Sequence, residues 1–142
     1  MPLTKMEHFL VLSEDIDATR DFYCNALGLT VGPRPPIGFS GYWLYLGNIP
    51  CVHIGEWKSY TETANRNGVP VTTPAHGTGS LDHIAFNADD YDEMAARLRS
   101  HGIPYALNVV PENGLRQLFL TDPNNVKIEI NIPARGNKGT DT

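Results

Sequence analysis

The segment Met6-Glu7-His8-Phe9-Leu10-Val11 returns later in the chain as Leu81-Asp82-His83-Ile84-Ala85-Phe86. A repeat on this scale constrains the fold more than any single residue, because each copy must form one supersecondary unit of the same kind. Both segments read as strands that carry a His. Asp15 and Asp89 follow them, and a carboxylate there can accept from the unpaired N–H groups that open a helix. Ile16, Thr19, Phe22, Tyr23, Ala26 and Leu27 then recur at helical spacing, as do Tyr91, Met94, Ala95 and Leu98. Gly28 and Gly102 suit the ends of these helices, ahead of strand-like Leu29-Thr30-Val31 and Ile103-Pro104-Tyr105.

The correspondence continues with Trp43-Leu44-Tyr45-Leu46-Gly47 against Gln117-Leu118-Phe119-Leu120-Thr121. Turns are expected at Asn48-Ile49-Pro50 and at Asp122-Pro123-Asn124-Asn125. A last strand closes each half: Cys51-Val52-His53-Ile54, and Val126-Lys127-Ile128-Glu129-Ile130-Asn131. The pattern predicts two βαβββ modules over residues 1–56 and 81–133. Residues 57–80, polar and rich in Gly, Pro and Thr, read as a surface connection that can serve as a lid. The tail, 134–142, offers almost nothing to bury and is expected to be disordered.

With 142 residues the chain suits one compact domain or two closely packed half-domains. A formal charge of -5 and the lack of a Lys/Arg cluster argue against a nucleic-acid or anionic-membrane partner and favour a small molecule. Cys24 and Cys51 alone cannot form a disulfide framework, which points to a reducing cytoplasm. Neither a signal peptide nor an apolar run of membrane-spanning length is visible.

Strand alternation identifies the candidate site. Val126, Ile128 and Ile130 share one face of the last strand, leaving Lys127, Glu129 and Asn131 on the other. A carboxylate in mid-strand is costly to bury without water, a cation or a hydrogen-bond partner. His53 repeats the situation, sharing its face with Cys51 and Gly55. Together with His8 and His83, these residues can face a common cavity. Two imidazoles and a carboxylate suit Fe, Mn, Ni, Co or Zn better than a hard, oxygen-seeking ion. We therefore take His8, His83 and Glu129 as candidate metal ligands. His53 is either a fourth ligand, a donor behind the ligands, a proton carrier, or an ordinary edge-strand residue. As a candidate catalytic group it heads the list. Trp43 and Tyr45, with Gln117 and Phe119 at the equivalent positions, are expected to line a substrate pocket. Arg34 and Arg116 have the chemistry to hold a carboxylate, although exposed arginines without such a role are commoner.

Residues 4–132 resemble the vicinal oxygen chelate superfamily, which includes glyoxalase I, methylmalonyl-CoA epimerase, fosfomycin-resistance proteins and extradiol dioxygenases. The most specific pieces are Leu81 to Phe86 and Phe119-Leu120-Thr121-Asp122-Pro123-Asn124-Asn125-Val126-Lys127-Ile128-Glu129. The family usually has Gly near the position of Asn125, a departure that concerns the turn. The resemblance implies an α+β fold in which the two modules form a curved mixed sheet around a central metal site, with the helices on the outer face. It implies one divalent metal ion per site, a small oxygenated substrate that chelates it, and a homodimer. Four protein ligands would leave room for a bidentate substrate and proton-transfer chemistry of the lyase or isomerase kind. Three would suit an extradiol dioxygenase acting on a catechol, but Gly114-Leu115-Arg116-Gln117-Leu118-Phe119 lacks the His and Tyr such enzymes carry before the final turn. Bleomycin-resistance relatives, which only sequester a ligand, lack the metal ligands retained here.

Overall fold

A computed structural model describes residues 2–71 and 76–134. Beyond Ala134, the tail expected to be disordered lies outside the described residues. The chain divides into two compact units, Met1–Ala75 and His76–Thr142.

The first unit begins with β1 (Phe9–Ser13), α1 (Ile16–Leu27), β2 (Thr30–Gly32), β3 (Gly41–Leu46) and β4 (Ile49–Glu56). Its four strands form one mixed sheet in the order β1-β4-β3-β2, with β1 parallel to β4 and the other pairs antiparallel. Parallel strands need a crossover between them, which α1 supplies while packing on the sheet. Asp15 caps α1 by accepting from Ala18 N–H at 3.0 Å, as its position predicts, and the helix ends at Gly28 with φ 74°. The face of α1 toward the sheet buries Thr19, Tyr23 and Ala26. Val11, Leu44, Val52 and Ile54 are buried in the strands, each contributing about 1.5–3 kcal/mol for its apolar side chain.

The second unit repeats this plan with β5 (Ile84–Asn87), α3 (Tyr91–Ser100), β6 (Ala106–Val109), β7 (Arg116–Thr121) and β8 (Lys127–Ile132), in the order β5-β8-β7-β6. Again the first and last strands pair in parallel. Leu118, Leu120, Ile128, Ile130 and Ile132 are buried along the strands, and α3 buries Ala95 and Leu98. The α+β architecture of two four-stranded mixed sheets is thus the one the repeat predicts.

Four details differ from the sequence reading. His8 and His83 are not within their strands: each stands immediately before its ladder, which starts at Phe9 and at Ile84. The cap of α3 is Asp90 rather than Asp89, since the Asp90 carboxylate accepts from Glu93 N–H at 3.1 Å. Strand β6 starts at Ala106, after Pro104, which has no N–H to give a ladder. The first hairpin turns on Gly47-Asn48, leaving Ile49 and Pro50 inside β4.

The largest difference is α2 (Trp57–Asn67), which occupies much of the segment read as a surface connection. Its buried residues are Thr63 and Ala64, too small and polar to stand out as a helical stripe. Polar contacts hold it instead: Thr63 Oγ1 donates to Gly38 O at 2.8 Å, and Ser59 Oγ accepts from Ser40 N–H at 3.1 Å. Tyr60 adds an edge-to-face contact with Phe39.

Candidate functional site

In the first unit, the face of the sheet opposite α1 carries Cys51, His53 and Gly55 from β4, and Gly41, Trp43 and Tyr45 from β3. Trp43 is the cross-strand partner of His53, and their rings stack with centres 4.2 Å apart. His8 lies against the other side of the same ring, 3.7 Å away and within 15° of parallel. His53 Nε2–H donates to Pro50 O at 3.1 Å, leaving Nδ1 as the basic nitrogen. Burial pushes the His53 pKa below its ordinary value, with the neighbouring His8 adding to the effect. The Cys51 thiol, also half-buried, is pushed up by burial, so it is not a ready nucleophile.

Tyr45 lies over Gly32, where a Cβ would come within 2.5 Å of its ring, and its hydroxyl donates to Pro33 O at 2.7 Å. The ring is therefore a fixed wall rather than a free polar group. Trp43 Nε1 is buried with no acceptor.

In the second unit, Glu129 is opposite Ala85 on one side and Phe119 on the other. It is only 9% exposed, so its charge needs partners. Asn131 Nδ2 donates to Glu129 Oε2 at 2.7 Å, and Gln117 Nε2 lies 3.4 Å from the same oxygen while donating to Asn131 Oδ1 at 3.1 Å. Asn108 Nδ2 donates to Gln117 Oε1 at 2.8 Å and extends the chain of amides to β6. The second oxygen, Glu129 Oε1, has His83 Nε2 at 3.2 Å.

The other nitrogen of that imidazole, Nδ1, is 2.7 Å from Asp82 Oδ2, which Lys127 Nζ also approaches at 2.8 Å. These two donors hold the Asp82 carboxyl below its usual pKa. A carboxylate only accepts, so Nδ1–H donates to Asp82 Oδ2, and Nε2 either donates a second proton to Glu129 Oε1 or, in the neutral ring, turns its lone pair toward it. Two electron-rich atoms at that separation repel unless a proton or a metal ion joins them. His8 has the same preparation, with Nδ1 2.8 Å from Glu7 Oε1. In both units an acidic residue immediately before the His fixes its tautomer, the arrangement that metal-binding imidazoles use.

The structure thus brings His83 together with Glu129 and Gln117, and His8 together with His53 and Trp43. Among the described residues, no group of three or more His, Cys, Asp or Glu side chains is placed to hold a metal ion. The donor chemistry of the His83–Glu129 pair nevertheless fits one, since an imidazole nitrogen and a carboxylate oxygen face each other and a metal ion can take the place of the proton between them. Sequence reasoning did not assign roles to Glu7, Asp82, Asn108 or Asn131. For the first two the signal was present, an acidic residue preceding the repeated His in both modules.

Among the described residues, no helix is long and apolar enough to cross a membrane. The chain is 29% identical over 131 residues to Glyoxylase I 4 of Arabidopsis thaliana, an alignment covering 90% of this chain and 70% of the relative. It is 25% identical over 129 residues to the uncharacterized protein YaeR of Escherichia coli (strain K12), covering 90% and 95% of the two chains. The crystal structure of lactoylglutathione lyase from Agrobacterium tumefaciens superposes with a TM-score of 0.69 at 21% identity, over 93% of this chain and 96% of that one, a likeness of fold. The model of the Glyoxalase/Bleomycin resistance protein/Dioxygenase superfamily matches residues 5–130, so the match takes in both sheets and both His-bearing segments. With the doubled βαβββ plan and its two carboxylate-oriented imidazoles, that match places this chain in the glyoxalase/bleomycin resistance protein/dioxygenase superfamily.

Proposed function

We propose that the protein is a divalent-metal-dependent enzyme of the lyase or isomerase kind, acting by proton transfer on a small oxygenated substrate that chelates the metal. The observation that carries this reading is the His83 imidazole, oriented by Asp82 at Nδ1 and facing Glu129 Oε1 at 3.2 Å through Nε2. His8, His83 and Glu129 would hold one ion of Fe, Mn, Ni, Co or Zn. When bound, such an ion acts as a Lewis acid that stabilises an enolate-like oxyanion.

The chain's own residues supply the rest. His53, with Nε2–H engaged by Pro50 O and a lowered pKa, is neutral at pH 7 and takes a proton at Nδ1. Trp43 and Tyr45 in the first unit, and Gln117 and Phe119 in the second, line the substrate site. Gln117 also steadies Glu129 through its amide. We further propose that the enzyme works as a cytoplasmic homodimer.

Metal analysis of the purified protein tests the reading directly. One equivalent of a transition metal is expected, with most of it lost in His83→Ala and in Glu129→Gln. Metal-free protein together with unchanged metal affinity in His83→Ala would reject the metalloenzyme. The reaction branch follows from incubating the Ni, Zn and Fe(II) forms with methylglyoxal hemithioacetal and with catechols. Isomerisation of the hemithioacetal supports the proposal, whereas oxygen uptake with a yellow product from a catechol would replace it by ring cleavage.

A further inference from the structure

The first unit holds a cation without a counter-charge. Arg34 follows β2, and its guanidinium lies over the Phe39 ring at 5.0 Å while Nη2–H donates to Phe39 O at 2.6 Å. Its Nε is buried and has no acceptor. None of the ion pairs among the described residues involves Arg34. Arg34 is half-buried, and a guanidinium partly withdrawn from water is commonly matched by a carboxylate; burial lowers its pKa.

Its position is also specific. A Cβ on Gly41 would be directed at β4, 1.9 Å from Ile54 O, and would stand 3.2 Å from Arg34 Nη2, which places the guanidinium at the Gly41–Gly55 end of the β3–β4 pair. A Cβ on Gly55, the cross-strand partner of Gly41, would meet Phe39 at 3.0 Å. Trp43, stacked on His53, presents a second buried N–H donor that lacks an acceptor, Nε1. Two unmatched donors, one of them cationic, thus belong to one end of the first sheet, Trp43 Nε1 on the ring stacked on His53 and Arg34 beside Gly41, two residues along β3. An uncharged ligand oxygen would satisfy hydrogen bonding there but not the charge.

We propose that Arg34 and Trp43 form a carboxylate-recognition subsite on the His53 face of the first sheet, so that the substrate carries a carboxylate in addition to the oxygens it offers a metal. This rests on the enzymatic reading for its significance, but not for its test. The planar guanidinium matches a carboxylate through two parallel N–H donors, and the Phe39 ring behind it fixes the plane of approach. Arg34 is then a specificity-determining residue, and the rotamer and stacking seen in the free protein pre-organise it.

The probe is benzoate, with benzamide as its uncharged isostere, titrated into the full-length chain after metal removal with a chelator. The 1H–15N spectrum reads the Arg34 Nε–H and Trp43 Nε1–H resonances, assigned from Arg34→Lys and Trp43→Phe. Both are expected to shift saturably with benzoate and to stay in place with benzamide. Arg34→Gln should weaken benzoate binding about tenfold or more, with Arg34→Lys in between, since it keeps the charge and loses the fork. Metal content should be unchanged in both variants. No shift with benzoate, or equal shifts with benzamide, would overturn the subsite whether or not the variants fold, because that comparison uses the unaltered chain. Since the titration is metal-free, loss of the metalloenzyme reading would leave its outcome intact.

Discussion

The imidazole of His53 lies flat against that of His8, with ring centres 3.7 Å apart. Burial disfavours the charged form of His53, and a positive charge on the adjoining His8 would disfavour it further. The unfolded chain takes up this proton near 6.5, the folded chain only at lower pH. Stability from His53 is therefore complete above 6.5 and is lost as the pH falls through the folded value. In metal-free protein, an NMR titration of the His53 ring should give a midpoint below 6.5, moving upward in His8→Ala. A midpoint at or above 6.5 in the unaltered chain would contradict the stacked geometry.

Asp82 makes no contact with a substrate in the proposed scheme, yet it fixes which nitrogen of His83 is free. Substituting such an orienting carboxylate typically weakens metal binding 10–100-fold. Asp82→Asn should show a loss of about that size in chelator competition, with the stoichiometry recovered at high metal concentration. Glu7→Gln, the equivalent change before His8, is expected to act in the same direction. Equal affinities in the variants and the parent would mean that neither carboxylate orients a ligand.

Much of this was legible before any coordinates, because it depends on period and repetition. Alternation alone separates Ile128 and Ile130 from Glu129, and the repeat alone pairs His8 with His83. The position of each His just ahead of its strand was not legible, since a strand pattern does not say where its ladder of hydrogen bonds begins. Helix α2 was missed because Thr63 and Ser59 anchor it through hydrogen bonds to Gly38 and Ser40, contacts that leave no apolar period. Arg34 could only be weighed as an exposed cation in sequence. Its lack of a carboxylate partner is a fact of tertiary structure.

Asn125 shows how a departure from a family pattern can be absorbed locally. Its φ of 66° is the only left-handed value among the described non-glycine residues. The preceding Asp122, buried, ties the turn by accepting from Asn124 N–H at 2.7 Å and Val126 N–H at 2.9 Å. Asn enters this backbone region more easily than other L-residues, whereas Ala pays the steric penalty of about 1–2 kcal/mol. Asn125→Ala should lower stability by roughly that amount in urea unfolding, while Asn125→Gly stays within about 0.5 kcal/mol of the parent. A neutral Ala variant would mean that the turn relaxes to another conformation.

Gly41 is constrained by space rather than by backbone angle. A Cβ there would stand 1.9 Å from the backbone oxygen of Ile54, in the strand that carries His53. Backbone in a central strand cannot move aside as a side chain can, so relief would require β3 and β4 to separate where Gly41 faces Gly55. Overpacking of this kind costs about 1–3 kcal/mol or more. Gly41→Ala is therefore expected to shift the urea midpoint downward with the slope unchanged, and to disturb the Trp43–His53 stack two residues along the strand. That second effect is read in the Trp43 indole resonance. A variant with parental stability and an unmoved indole signal would show that the strands are not in the close register described here.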